Sequence, residues 1–185
     1  MFICEICGVT ISAGARGRKP KFCGTNCRVR SHRGHGVPLE LRALPRWVRH
    51  RNKVPITAGG ANASSTNPST WSTYSEATQS EAGDGLGFVL NGDGIICIDL
   101  DHCFDGEPNE QAKELIALLP NTYVEVSPSG TGLHIWGFAS LEKGRRFSRG
   151  GLSVEVYPNG RYITVTGKAI NRASLANLDL YNLLP

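Results

Sequence analysis

Two aspartates end an apolar run in the stretch GIICIDLDHC, residues 94–103. Side chains alternate across a β-strand with a period of two, so Asp99 and Asp101 are predicted to lie on the same face. Two carboxylates this close repel each other unless something positive lies between them. The pair therefore indicates a metal ion, a cationic ligand or a shared proton, and turn chemistry at the end of a strand is the alternative explanation.

A third acidic residue and a histidine are further candidates for the same site. Glu155 is predicted on the polar face of a strand in VEVYPNGRYITVTG, and His134 follows the glycine-rich turn SPSGTG, whose backbone N–H groups are expected to be free to approach an anion. Clustered carboxylates favour hard cations such as Mg²⁺, and two such ions would activate an attacking hydroxyl and stabilise a leaving pyrophosphate. The alternatives are a cross-strand pair with a basic neighbour for Glu155 and a core position for His134.

Four cysteines near the N-terminus have the spacing of a metal site, C-x2-C, fifteen residues and then C-x3-C. Cys4, Cys7, Cys23 and Cys27 would close a tetrahedral, structural Zn²⁺ site. A knuckle followed by a helix that carries ligands resembles a treble-clef zinc finger. A segment of about 30 residues buries too little surface to fold without the metal. Ordinary thiols without a metal are the alternative.

Positive charge is concentrated in the N-terminal part of the chain. The net charge is +4, but residues 1–53 hold twelve Lys and Arg against two Glu, whereas residues 54–185 hold eight against fourteen Asp and Glu. A basic segment indicates a polyanionic partner, most simply nucleic acid, and a solvated surface without a specific partner is the alternative. The basic residues predicted to contact nucleic acid are Arg16, Arg18, Lys21, Arg28, Arg30 and Arg33.

The hydrophobic periods predict an α+β fold with a mixed, largely antiparallel sheet flanked by helices. Helices are predicted after the second cysteine pair, over 75–82 and over 109–120. Hairpins are predicted around NGDG at 91–94 and around Asn159–Gly160. A strand, a turn rich in proline and glycine and another strand are predicted over 122–138. Residues 53–75 are predicted to be a functional or mobile loop.

Composition excludes several classes of protein. The chain of 185 residues is 40% hydrophobic, which suits one domain with a small appendage, and no apolar run approaches the length of a membrane span. The sequence begins without an export signal, and its cysteines have metal-like spacing. Reduced cysteines in a cytoplasm are therefore expected, with no membrane partner.

Three stretches, CIDLDHC, SPSGTGLHIWG and VEVYPNGRYITVTG, together resemble the archaeo-eukaryotic primase superfamily, most closely its phage and plasmid primase-polymerase domains. In that family an acidic pair ends an apolar strand, a small-residue turn ends in a histidine that contacts the nucleoside triphosphate, and a third acidic residue follows. The resemblance implies that Asp99, Asp101 and Glu155 hold two Mg²⁺ or Mn²⁺ ions and that His134 binds the triphosphate. It also implies an RRM-like (RNA-recognition-motif-like) sheet.

The resemblance further implies a DNA-dependent primase or polymerase of phage or plasmid replication, acting on a single-stranded DNA template with nucleoside triphosphates in the bacterial cytoplasm. Residues 1–33 would be the zinc-binding module, 34–52 a basic connector and 53–185 the catalytic domain. The other candidates for nucleotide binding are Ser129, Gly130, Gly132, Arg161 and Lys53.

Several features depart from the family pattern or allow another function. Many members carry serine where this chain has Gly132, and many are fused to a helicase, which makes a helicase partner an expectation although the sequence has no Walker loop. Arg161 falls on the apolar side of its strand, and Lys53 is alternatively a surface lysine. A metal-dependent nuclease and a non-catalytic, zinc-containing DNA-binding replication adaptor are the alternative functions.

Overall fold

The computed structural model describes residues 2–4, 9–11, 20–32 and 36–185, with the backbone alone for residues 29–32. Its helices are α1 Thr25–His32, α2 Leu39–Arg42, the 3₁₀ helix Pro68–Thr70, α3 Tyr74–Gln79 and α4 Glu110–Ala117. Its strands are β1 Phe2–Ile3, β2 Thr10–Ile11, β3 Trp47–Arg51, β4 Val54–Ile56, β5 Gly85–Asn91, β6 Ile95–Asp101, β7 Phe104–Asp105, β8 Glu107–Pro108, β9 Tyr123–Val126, β10 Leu133–Phe138, β11 Arg145–Arg149, β12 Leu152–Tyr157, β13 Asn159–Val165, β14 Ala169–Arg172 and β15 Ala176–Asn177. The predicted α+β class with mostly antiparallel strands is confirmed.

The predicted helices begin where their capping residues place them. The Thr73 hydroxyl accepts from the Glu76 backbone N–H while the Glu76 carboxylate accepts from the Thr73 N–H, so α3 starts at Tyr74. The Asn109 side chain accepts from the Ala112 N–H at 2.9 Å and starts α4. Ala112 and Leu115 of α4 are buried, as the helical period predicts.

The larger sheet carries the predicted acidic residues. Its strand order is β11-β12-β6-β10-β9-β14, with every neighbouring pair antiparallel, and the short strand β15 runs parallel to β10. One face packs Ile96, Ile98 and Leu100 against α4. The other face is apolar around Cys97 and Trp136, where a second sheet covers it, and becomes polar toward Asp101. The candidate chemistry therefore lies at the open end of this second face.

The second sheet has the order β13-β5-β3-β4 and packs Trp47 and Phe88 against the larger sheet. Its strand β3 lies within residues 34–52, so the predicted basic connector contributes a strand to this sheet, with Trp47 and Val48 buried. The stretch 53–75 contains β4 and the 3₁₀ helix, and the Trp71 indole N–H donates to the Ser64 carbonyl at 2.7 Å.

Both predicted hairpins are wrong. β5 and β6 flank NGDG but pair in different sheets, and so do β12 and β13 around Asn159–Gly160. The reason is that β6 already has β10 and β12 on its two edges, and β12 has β6 and β11. Each turn therefore carries the chain from one sheet to the other, and the two turns meet where the Gly92 N–H donates to the Pro158 carbonyl at 3.1 Å. The two strands predicted over 122–138 are confirmed as β9 and β10, and they pair with each other across their turn.

Candidate active site

The strand register aligns four ionisable residues across the larger sheet. Asp99 of β6 lies opposite Glu155 of β12 on one side and His134 of β10 on the other, and His134 lies opposite Glu125 of β9. Directly opposite residues on one face of a sheet are close enough for their side chains to interact. The register thus brings three of the four predicted catalytic residues side by side, and Asp101 follows on the same face.

Asp99 lies in the middle of this row, with other ionisable side chains around it. Its Oδ1 lies 3.7 Å from His134 Nε2, and its side chain is 26% exposed. Burial raises the pKa of the Asp99 carboxyl, His134 opposes that shift, and the nearby Asp101 and Glu155 reinforce it. An acid held with two others in a half-buried position favours a cation beside it. The donor set, three carboxylates with hard oxygens, fits Mg²⁺ or Mn²⁺.

Glu155 is held by two neighbours in the structure. Arg146 Nε donates to its Oε1 at 2.7 Å, and the Tyr157 hydroxyl donates to its Oε2. Asp101, at the exposed end of β6, lies opposite Ser153. The three carboxylates thus share a face without converging on one point, and Glu155 would exchange its present partners to bind a metal.

A cavity of about 370 Å³ lies between the two sheets in front of this row. The predicted residues that line it are Asp99, Asp101, Ser129 and His134 from the larger sheet and its turns, and Lys53 and Arg161 from the second sheet. Glu155, Gly130 and Gly132 are not among its lining residues. A larger, open depression of about 730 Å³ around Gly94 and Glu142 holds none of the predicted site residues.

Lys53 reaches the cavity from the turn between β3 and β4. Asn52 and Lys53 both have positive φ, 50° and 64°, as a type I′ turn requires, although glycine is the usual residue there. The Tyr162 hydroxyl donates to the Lys53 carbonyl and fixes the turn against β13. A lysine kept in this conformation at the mouth of a cavity is consistent with a role for its ammonium group.

Arg161 also lines the cavity, although alternation puts it on the apolar side of its strand. Because β13 belongs to the second sheet, that side faces the larger sheet, and at the end of the strand it opens onto the cavity. The guanidinium lies 4.6 Å from the centre of the Tyr157 ring, a cation–π contact. Arg161 therefore presents a positive charge beside the tyrosine that holds Glu155.

Two backbone N–H groups of the turn between β9 and β10 already have acceptors within the turn. The Gly130 N–H donates to the Ser127 carbonyl and the Thr131 N–H donates to Ser129 Oγ, so these two are not available for an anion in this arrangement. A Cβ on Gly132 would lie 2.6 Å from the Leu100 carbonyl oxygen, so the serine of many family members does not fit here. Ser127 and Ser129, linked by a 3.0 Å hydrogen bond, line the cavity instead.

Glu125 is the residue that sequence reasoning missed. It is fully buried, and its Oε1 lies 3.4 Å from His134 Nδ1. A carboxylate accepts hydrogen bonds, so His134 donates through Nδ1 and turns Nε2 toward Asp99 and the cavity. The other donors to Glu125 are the Tyr123 hydroxyl, the Trp136 indole N–H, the Thr166 hydroxyl, and the backbone N–H groups of Thr166 and Gly167. One acidic residue inside the apolar run YVEV is the signal that could have revealed it.

Three of the four predicted zinc ligands lie together. The Sγ atoms of Cys4, Cys23 and Cys27 lie within 4.8 Å of one another, and in the described part of the chain this is the one group of three or more Cys, His, Asp or Glu ligand atoms so close. Cys7 lies outside the described residues, as do Arg16, Arg18, Arg33 and the side chain of Arg30. Lys21 and Arg28 are exposed.

Comparison with known proteins places this site in a family. No helix among the described residues is long and apolar enough to cross a membrane. A "DNA Primase-polymerase" of Nitratiruptor phage NrS-1 is 37% identical over 150 residues, which cover 72% of this chain. The chain spans about a fifth of the length of that relative. A family model described as "Bifunctional DNA primase/polymerase, N-terminal" matches residues 29–178, and the chain therefore belongs to this primase/polymerase family.

Proposed function

We propose that this chain catalyses template-directed nucleotidyl transfer, making or extending primers on single-stranded DNA in phage or plasmid replication. The observation that carries the proposal is the row of Asp99, Glu155 and His134, which faces a cavity lined by Lys53 and Arg161. Carboxylates can hold divalent metals and cationic side chains can hold phosphates, so the site suits a reaction that needs both divalent metals and a nucleoside triphosphate.

In this proposal Asp99, Asp101 and Glu155 hold the divalent cations. The cations, when bound, would increase the nucleophilicity of the primer 3′-hydroxyl and stabilise charge on the departing pyrophosphate. His134 acts as the imidazolium, with both ring nitrogens protonated, so that Nδ1 donates to Glu125 and Nε2 donates to the triphosphate. Lys53 and Arg161 neutralise phosphate charge, and the Ser129 hydroxyl replaces the hydroxyl that Gly132 lacks.

We propose that residues 1–33 form a treble-clef-like zinc module, 34–52 a basic connector and 53–185 an RRM-like catalytic domain, with β3 of the connector joining its second sheet. The module would hold the template or the 5′-triphosphate end of the primer, since it carries exposed Lys21 and Arg28. Arg42 of α2 donates to the Cys4 carbonyl at 3.2 Å and ties the cysteine cluster to the connector. The bacterial cytoplasm, where thiols stay reduced, suits this arrangement.

The function is tested with purified protein, single-stranded DNA, labelled nucleoside triphosphates and Mn²⁺ or Mg²⁺. We expect new oligonucleotides from the wild type and none from the Asp99→Ala/Asp101→Ala variant, with equal DNA binding by both. If the protein extended preformed primers but made no new ones, the assignment of the active site would stand and the priming role would be rejected. DNA cleavage without nucleoside triphosphates would favour the nuclease, and DNA binding with no reaction in either protein would favour the adaptor.

Removal of zinc is expected to unfold the N-terminal module and leave the two sheets intact. Among the described residues, the apolar cluster around the cysteines contains Cys4 and Cys27, with Ile11 and Phe22 packed against them. A segment of this length buries too little surface to fold without its metal. Cys23→Ser should lower the zinc content measured by atomic absorption and open the first 30 or so residues to proteolysis. Cys103→Ser, which changes a buried cysteine outside the cluster, is the control and should keep its zinc. Wild-type protein purified without zinc and equally resistant to protease would contradict this module.

A further inference from the structure

We propose that the sheet edge formed by β11, together with the preceding Lys143, binds the phosphate backbone of single-stranded nucleic acid beside the candidate active site. The inference rests on the proposed function and deepens it by assigning a second basic surface, separate from the cysteine module. Four observations carry it: charge, exposure, distance from Asp99 and the contrast with the opposite edge of the same sheet.

Positive charge is unusually dense in this segment. Residues 54–185 are acidic overall, with eight Lys and Arg against fourteen Asp and Glu, yet four of those eight cations lie between residues 143 and 149. They are Lys143, Arg145, Arg146 and Arg149, and no acidic residue occurs from 143 to 154. A local basic stripe in an acidic domain suits a polyanion rather than general solvation.

Most of these cations are exposed and therefore available to contact phosphate. β11 is an edge strand that pairs with β12, and Lys143, Arg145 and Arg146 are exposed. Arg149 differs because its Nη1 donates to the carbonyls of Asn182 and Leu183 at 2.6 and 3.0 Å, which gives it a structural role. Phe147 packs against the core on the α4 side and fixes the strand.

Arg146 connects the stripe to the acidic row. It lies opposite Glu155 and donates to it through Nε, while 76% of its side chain remains exposed. An ion pair exposed to solvent on its Arg146 side holds that side chain only weakly, so the guanidinium is able to contact phosphate as well. Two strand spacings, about 10 Å, separate the backbone of β11 from that of β6 and Asp99. A strand bound along β11 would therefore pass close to the reacting ends.

The opposite edge of the same sheet serves as an internal comparison. β14 carries Arg172, and Lys168 precedes it, both exposed. On that side the row ends at the fully buried Glu125, whereas on the β11 side it ends at Glu155, which Arg146 contacts. Replacing Lys168 and Arg172 by alanine removes two positive charges, as the β11 variant does, but leaves the proposed contact between β11 and phosphate unchanged.

The experiment compares Arg145→Ala/Arg146→Ala with the charge-matched Lys168→Ala/Arg172→Ala. Binding of a fluorescent single-stranded oligonucleotide is measured by anisotropy over a range of salt concentrations, without nucleotides or divalent metal, so that its outcome does not depend on catalysis. Loss of two phosphate contacts should weaken binding and lower the slope of log K against log salt by about 1.4 in magnitude. The β14 variant should keep the wild-type slope, and melting temperatures would establish that both variants are folded.

An unchanged slope in the β11 variant would overturn the proposal and assign DNA contact to other basic residues. Equal changes in both variants would also overturn it, because they would show an effect of net charge alone. Failure of primer synthesis by the wild type, with the β11 effect present, would count against the proposed function and not against this surface.

Discussion

Asp99→Asn is expected to abolish nucleotidyl transfer and at the same time to raise the melting temperature of the metal-free protein. Asparagine keeps the shape of the side chain but removes the charge that would bind a divalent cation. The loss of activity should be on the order of 10³-fold or more, as for other groups that stabilise charge in a transition state. The gain in stability follows from the burial of the Asp99 carboxylate, to which the neighbouring Asp101 and Glu155 add.

The sign of the stability change follows from the raised pKa. Burial raises the pKa of Asp99 above its ordinary value of 3.8, helped by Asp101 and Glu155 and opposed by His134 and Lys53. Between the ordinary and the raised value the folded chain binds more protons than the unfolded chain, so stability falls as pH rises through this range. Above the raised pKa the full cost of the buried charge is present, and asparagine avoids that cost.

Melting is measured above pH 7 in buffer without divalent metal or chelator, since a chelator would also remove zinc. Asp101→Asn is the matched control because Asp101 lies exposed at the end of the same strand. It should lose activity with a smaller gain in stability than Asp99→Asn, because it relieves only the repulsion by Asp101 and leaves the buried Asp99 charge in place. Added Mn²⁺ should stabilise the wild type but neither variant, because binding to the folded state alone raises the melting temperature. A melting temperature of Asp99→Asn at or below the wild-type value would contradict the electrostatic account.

Much of the acidic site could be predicted from the period of a strand. Alternation places Asp99 and Asp101 on one face, and the structure agrees. Alternation does not predict which strands become neighbours, so the approach of His134 and Glu155 to Asp99 came from family resemblance and not from spacing. The register that brings them together pairs Asp99 with residues 35 and 56 positions further along the chain, and local sequence does not encode such pairing.

The wrong hairpin predictions have the same origin, because local sequence does not determine which strands become neighbours. NGDG and PNG are good turn signals, but a turn does not determine whether the strands on either side pair with each other. Here the edges of β6 and β12 were taken by other strands, and the turns became crossings between sheets. Arg161 was assigned to an apolar side that turned out to open onto the cavity for the same reason.

The burial of Glu125 could not be predicted from the sequence pattern. An acidic residue in YVEV is expected on the exposed face of a strand, whereas all four residues of β9 are buried. The donors that compensate its charge come from β9 itself, from β10 and from the turn after β13. These hydrogen bonds satisfy both carboxylate oxygens, so burying the Glu125 side chain costs less than burying an unpaired polar group would.

Glu125→Gln is expected to raise the KM for nucleotide by about 10- to 100-fold, the usual effect of losing the partner that orients a functional histidine. The amide group has one acceptor and one donor end. Its oxygen is needed at the Oε2 position, where two backbone N–H groups and two hydroxyls converge. The NH₂ end therefore faces His134 Nδ1, which must then become an acceptor, and the ring loses the proton arrangement that made it a cation toward phosphate.

Tyr123→Phe is the matched control for this variant. It removes one donor to the same carboxylate, at 3.0 Å, but leaves the contact between Glu125 and His134 unchanged. We expect it to reduce stability by about 1 kcal/mol and to keep the wild-type KM. A second measurement is the ¹⁵N spectrum of labelled histidine, in which the signals of His134 are assigned with His134→Gln. The Nδ1 proton of His134 should be present in the wild type and in Tyr123→Phe and lost in Glu125→Gln. If both variants raised KM in proportion to their loss of stability, with no change in tautomer, Glu125 would support the fold and have no separate role in orienting His134.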